Sequence, residues 1–297
     1  MVPSMGSPCR RSCERIFGLE LFLLIGGCAS VPYQSAGMLS SYANLAPSNG
    51  YLTHASIAID RDKALAASTV GIARTTFSEA ASKVALSQKQ RDILANVVDR
   101  SLCIGLSDRF HVVTFTEPAD LSVHATITYI GLTDEKVAAA SEVASLGATV
   151  AENVFLPTPI PTPKPRIPVG MGGLAVEAEA LDASGRQVAA MVWARGADAF
   201  TSKPKVSVEG DAYDLAKVFA DDFSRLLVTG STPFKKLHLP SINTINASLG
   251  GKPKEAICDG FGRGPGVVGL IGDAVGLPPE WTDKGGPKQS NQQVVAQ

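Results

Sequence analysis

The residues from Leu121 to Tyr129 constrain the fold of this chain more than any other stretch. Leu121, Val123, Ala125, Ile127 and Tyr129 alternate with Ser122, His124, Thr126 and Thr128, and a period of two belongs to a strand with one core face and one wet face. Such a strand needs neighbours and a covering layer. Upstream, Ser87 followed three residues later by Gln90 is a capping-box signal, and Ile93, Leu94, Val97, Val98 and Leu102 then recur at helical spacing. This predicts a helix over 88–107, with Arg91, Asp92, Asp99 and Arg100 on its outer face.

Thr69 to Phe77 reads as a first strand, and His111 to Thr116 as a short one ended by Glu117-Pro118. Leu174 to Leu181 and Gln187 to Ala194 are two more, joined by the turn residues Asp182 to Gly185. Asp211 is expected to cap a last helix with Leu215, Val218, Phe219, Leu226 and Leu227 on its apolar side. The order β, α, β, β, insert, β, β, α predicts an α+β two-layer sandwich. Its sheet would be mostly antiparallel with about five strands, and two main helices would cover one face.

Around this domain, expected over residues 57–229, the composition changes. Residues 134–170 form an insert whose second half, Pro157 to Pro168, holds six prolines, a spacing that favours an extended polyproline rod. It reads as a stiff crossover or a partner-binding arm. Residues 28–56, rich in Ser, Ala, Pro and Gly, read as a tether, some of it free to pack on the domain. Residues 230–297 read as a glycine-rich tail that ends in a polar, disordered stretch.

The first 27 residues have the zones of an export signal: Arg10, Arg11 and Arg15, then an apolar run from Ile16 to Ile25 interrupted by Glu20, then Gly26 and Gly27 before Cys28. A start at Met5 would keep all three arginines. The apolar run is too short for a bilayer, which takes about 20 residues, and no other stretch is long and apolar enough to cross a membrane. The order basic, apolar, small, cysteine resembles the lipobox of bacterial lipoproteins. That resemblance implies a mature chain starting at an acylated Cys28 and held on a membrane by its fatty chains. Ala29, in place of an inner-membrane retention aspartate, points to the outer membrane.

Losing residues 1–27 takes the net charge from −1 to −2, because three arginines and two glutamates go with them. A near-neutral surface argues against nucleic acid, and 45% hydrophobic residues fit a folded domain. Cys9 and Cys13 fall in the signal. Cys103 and Cys258 remain, either as a disulfide in an oxidising compartment or, for Cys103, as a small buried core residue.

No motif commits the chain to catalysis. His54, His111, His124 and His238 stand apart from one another and from the cysteines, so no metal site is expected. Gly264 to Gly269 matches the dinucleotide fingerprint in letters alone, since it follows the last core helix instead of a first strand. No cofactor is expected. The paired carboxylates Asp134-Glu135, Asp221-Asp222 and Glu177 with Glu179 read as solvated, the last pair on the wet face of a strand. No catalytic residue is assigned.

Three segments together resemble a family of bacterial lipoproteins known only as a domain of unknown function: SAGMLSSYANL at 35–45, the helix and strands from Arg91 to Thr128, and the hairpin GLAVEAEALDASGRQVAAMV at 173–192. The resemblance implies an exported, lipid-anchored α/β domain and transfers no catalytic residue. The expected function is an outer-membrane lipoprotein facing the periplasm, acting as a structural or accessory module for an envelope protein partner. The alternatives are a periplasmic hydrolase and a subunit of an envelope transport or secretion complex.

Overall fold

Burial along the alternating strand follows its pattern: every second residue from Leu121 to Ile127 is buried and the residues between are half-exposed. The computed structural model describes residues 30–141, 143, 166, 167, 169–235, 240–264, 266, 269, 271, 272, 276–283, 285 and 286. Its sheet runs β1 (Ala46–Pro47), β2 (His54–Ile59), β8 (Gln187–Gly196), β7 (Gly173–Asp182), β6 (Leu121–Gly131), β3 (Thr69–Ile72), β5 (His111–Val113) from edge to edge. β4 (Thr76–Phe77) also pairs with β6.

The fold is mixed α/β, but its sheet has eight strands, not about five, and is not mostly antiparallel on every side. β3 pairs in parallel with β5 and β6, and β4 pairs in parallel with β6. After the short helices α1 (Arg61–Ala66) and α2 (Glu79–Ser82), α3 (Gln88–Leu106) carries the chain back between β3 and β5, the crossover that their parallel pairing requires. β1 and β2 add an antiparallel edge against β8. They begin inside the stretch that reads as a tether, whose composition has no strand period.

The expected strand Thr69 to Phe77 is broken. Ile72 lies opposite Val123 and Thr76 opposite Thr126, so one extra residue bulges out between β3 and β4. The bulge serves Asp99 of α3, which accepts hydrogen bonds from the Thr75 amide at 2.9 Å and its hydroxyl at 2.6 Å, and pairs with Arg74 at 3.3 Å. Asp99 and Arg100 are therefore buried and not on an outer face. Both sides of α3 are covered, so a helix with charges on two sides need not have a wet side.

α3 and α4 (Gly210–Thr229) lie on one face of the sheet. Leu94, Val98, Leu102, Phe219, Phe223, Trp193, Met191 and Ile127 share that core. Trp193 donates its indole N–H to Asp222 of α4 at 2.9 Å. α4 starts one residue before Asp211, and its cap position, Glu209, makes no side-chain capping bond. The Asp211 carboxylate instead meets Arg166 at 2.5 Å, the Gly172 amide at 2.7 Å and the Thr133 hydroxyl at 2.9 Å. The helix ends at Gly230, whose φ of +62 supplies the left-handed C-cap.

Two further layers flank this sandwich. Over α3 lie α5 (Ile242–Ser248), a short 3-10 helix (Ala256–Phe261) and α6 (Pro279–Thr282), all within the stretch that reads as a tail. Cys258 of the 3-10 helix is joined to Cys103 of α3 by a disulfide, and both residues are buried. Asp283 accepts from Arg100 and from the Tyr213 hydroxyl at 2.6 Å each. Over the opposite face of the sheet lies the N-terminal strap described below. No helix among the described residues is long and apolar enough to cross a membrane.

Candidate functional site

β7 and β8 are buried on both faces, and their sequence shows why. Ala175, Ala178, Ala180, Ala189, Ala190 and Ala194 leave room above and below the sheet for other chain segments. The helices take one face. Residues 30–45 take the other, seating Leu39, Tyr42 and Leu45 on Ala190, Val192 and Ala58.

Glu177 and Glu179 point into this second face. They are not solvated, as the alternation suggests; Glu177 is 1% exposed and Glu179 7%. The strap satisfies them. Glu177 accepts from the amides of Ala36 at 2.6 Å and Met38 at 2.9 Å and from the Tyr42 hydroxyl at 2.5 Å. Glu179 accepts from the Ser40 amide at 2.9 Å, the Ser40 hydroxyl at 2.6 Å and the Gln187 side chain at 2.8 Å. A carboxylate facing several N–H and O–H donors is well suited to burial. Tyr42 is correspondingly hard to ionise, because burial and the neighbouring Glu177 raise its pKa.

The strap runs along β7. Val31 packs directly over Gly173, where a β-carbon would fall 2.3 Å from the valine side chain, so the strap's path requires glycine there. The Tyr33 ring lies tilted beside His54, with centroids 5.8 Å apart, and its hydroxyl donates to Ser56 at 2.6 Å. Beside the strap opens a cleft of about 640 Å³, lined by Gln34, Ser35 and Met38, by Ser78, Glu79 and Lys83 at α2 (Glu79–Ser82), and by Thr128 and Tyr129 of β6. The pairing of β6 with β7 slips between Ile127 and Tyr129, so a bulge at Thr128 forms part of the cleft wall.

The donors and acceptors of this face are engaged with one another. The Ser40 hydroxyl donates its proton to Glu179, and among the described residues no histidine is bonded to it. His124 stands opposite Glu179 across β6 and β7, edge-on to Phe115 at 5.4 Å. Burial lowers its pKa, against the opposing pull of Glu179.

The other residues singled out by sequence lie elsewhere. His111 meets Glu255 at 3.2 Å on the far edge strand, and His238 is outside the described residues. Asp134 caps a helical segment at 135–141 by accepting from the Lys136 amide, and Asp221 pairs with Arg225. Among the described residues no group of three His, Cys, Asp or Glu side chains is placed to hold a metal ion. Cys28 and most of Pro157 to Pro168 lie outside the described residues, as does much of Gly264 to Gly269. Sequence reasoning missed Ser40, Tyr42 and Gln187. The signal for them was the crowd of alanines around Glu177 and Glu179.

A model of a family described as a protein of unknown function, DUF3313, matches residues 34–223, which include the strap from Gln34 onward and both clamping carboxylates. No curated protein matches the chain. Among solved structures, a PelC variant dodecamer from Paraburkholderia phytofirmans is similar at 9% identity, over 60% of this chain and 97% of that one, with a TM-score of 0.32. A likeness that slight carries no argument about this chain.

Proposed function

Because this chain belongs to the DUF3313 family of proteins of unknown function, we propose its role from its own residues: a lipid-anchored lipoprotein of the outer membrane that faces the periplasm. It acts as a structural or accessory module for an envelope protein partner. The observation that carries the reading is the strap. Lipobox-like residues end at Cys28, and eight residues later the chain is gripped by Glu177. Eight residues span at most about 28 Å, so acylation of Cys28 would hold the folded domain close to the bilayer.

Two further features support this reading, the first its location and the second a structural use of the strap face. A disulfide suits an oxidising compartment, and the hydroxyl and carboxylates of the strap face are consumed in mutual hydrogen bonds. Fractionation of the native host tests the reading. The wild-type chain is expected in the outer-membrane band, and a Cys28→Ser variant in the soluble periplasmic fraction or retained with its signal uncut. Equal distribution of both proteins in the cytosol would refute it.

A further inference from the structure

We propose that one end of the sheet, where the strap leaves the domain, is a surface that rests on the phospholipid leaflet; this rests on the lipid-anchored reading above. The end is defined by pairing. Gly131 of β6 lies opposite Gly173 of β7, Gly173 opposite Gly196 of β8, and Ala194 opposite His54 of β2. The strap points toward it: Val31 sits over Gly173, Ala36 and Met38 at Glu177, and Ser40 at Glu179. Traced backward along β7, the chain therefore leaves at the Gly173 end. Cys28 is three residues before Val31, a reach of about 10 Å.

That same end carries exposed large apolar side chains that no described residue covers. Leu132 follows β6, Ile167 and Val169 precede β7, and Phe200 follows β8. Tyr33 lies at His54, and Tyr51 sits in the turn between β1 and β2. Val169 is 59% exposed and Phe200 66%. The loops are held together: the Arg166 amide donates to the Ala199 carbonyl at 2.7 Å, and the Ala197 amide to Gly172 at 2.9 Å. Asp198 fixes the Phe200 loop by accepting from the amides of Phe200 and Thr201. Tyrosine and phenylalanine on a rigid rim suit a membrane interface. Among the described residues the exposed charges nearby, Asp134 and Glu135 against Lys136 and Lys203, cancel in sign. The contact is therefore apolar and insensitive to salt, unlike a polybasic one.

The test uses the acylated protein in vesicles of phosphatidylethanolamine and phosphatidylglycerol, with single nitroxide labels at Phe200→Cys, Val169→Cys or Ile242→Cys. Ile242 is exposed too, but its neighbour Asn243 is bonded to the last turn of α3, at Ile104 and Ser107, far from the strap. Power saturation is expected to show labels at 200 and 169 severalfold more accessible to oxygen than to an aqueous nickel chelate, relative to the label at 242, at low and high salt alike. Water-like values at all three positions would overturn the proposal. Mass spectrometry of Cys28 on the same sample separates the two claims. An acylated cysteine with three water-exposed labels removes this surface alone, whereas an unacylated one removes the lipid-anchored reading and this surface together.

Discussion

Truncating Glu177 to alanine removes the one carboxylate that holds the strap by three bonds, to the Ala36 amide, the Met38 amide and the Tyr42 hydroxyl. Hydrogen bonds to a charged group contribute about 1.5–3 kcal/mol each, and part of that returns as water reaches the released donors, so a net loss of about 3 kcal/mol is expected. Because each 1.36 kcal/mol is tenfold, this corresponds to roughly a hundredfold faster exchange at those amides. The effect should stay local. Leu39 and Tyr42 would still rest on Ala190 and Val192, and the α4 amides, packed on the opposite face, should keep their protection. Hydrogen exchange read by mass spectrometry over residues 33–42 checks this. Glu179→Gln serves as a positional control, loosening Ser40 while leaving Ala36 and Met38 closed. Unchanged protection of Ala36 and Met38 in Glu177→Ala would refute the clamp.

Other perturbations report on the remaining layers. Cys258→Ser opens a covalent loop of sequence separation 155 and should cost about 2–5 kcal/mol in denaturant unfolding, with protease cuts appearing first between 241 and 264. Asp211→Ala leaves the fully buried Arg166 without its carboxylate, a loss of about 3–5 kcal/mol that Arg166→Met together with Asp211→Asn should partly restore, since the asparagine side-chain oxygen can still accept from the Gly172 amide. Burial pushes Asp99 and Asp222 up to about 6. Between pH 4 and 6 the native state thus binds more protons than the unfolded chain, so these two groups favour folding below that window and disfavour it as pH rises through about 6. A thermal midpoint higher at pH 5 than at pH 7, with the difference reduced in Asp222→Asn, is the expected result; an identical difference in the variant would contradict it.

The helix α3, its capping box at Ser87 and Gln90, the strand β6 and the hairpin of β7 and β8 were legible in the sequence, since each carries its own local period. What was not legible depends on layers that have none. The strap has no repeat to announce it, so Glu177 and Glu179 looked like the wet side of a strand. Only the covering residues 36–42 make them buried. Asp99 and Arg100 were misplaced for the same reason, their partners being a bulge at Thr75 and a carboxylate at Asp283, far away in the chain. Asp211 looked like a helix cap because the competing cation, Arg166, lies within the proline run, 45 residues away in the chain. Parallel pairing of β3 was likewise hidden, because strand direction follows from the crossover and not from composition.

The central claim is that Cys28 anchors this domain to a membrane through a strap locked on the sheet. The most direct measurement is the intact mass of the protein extracted from its native membrane in detergent. The account predicts a chain beginning at Cys28 and carrying a diacylglyceryl group with a further acyl chain on its amino terminus. A mass that retains residues 1–27, or begins at Met5, with an unmodified Cys28 would contradict it.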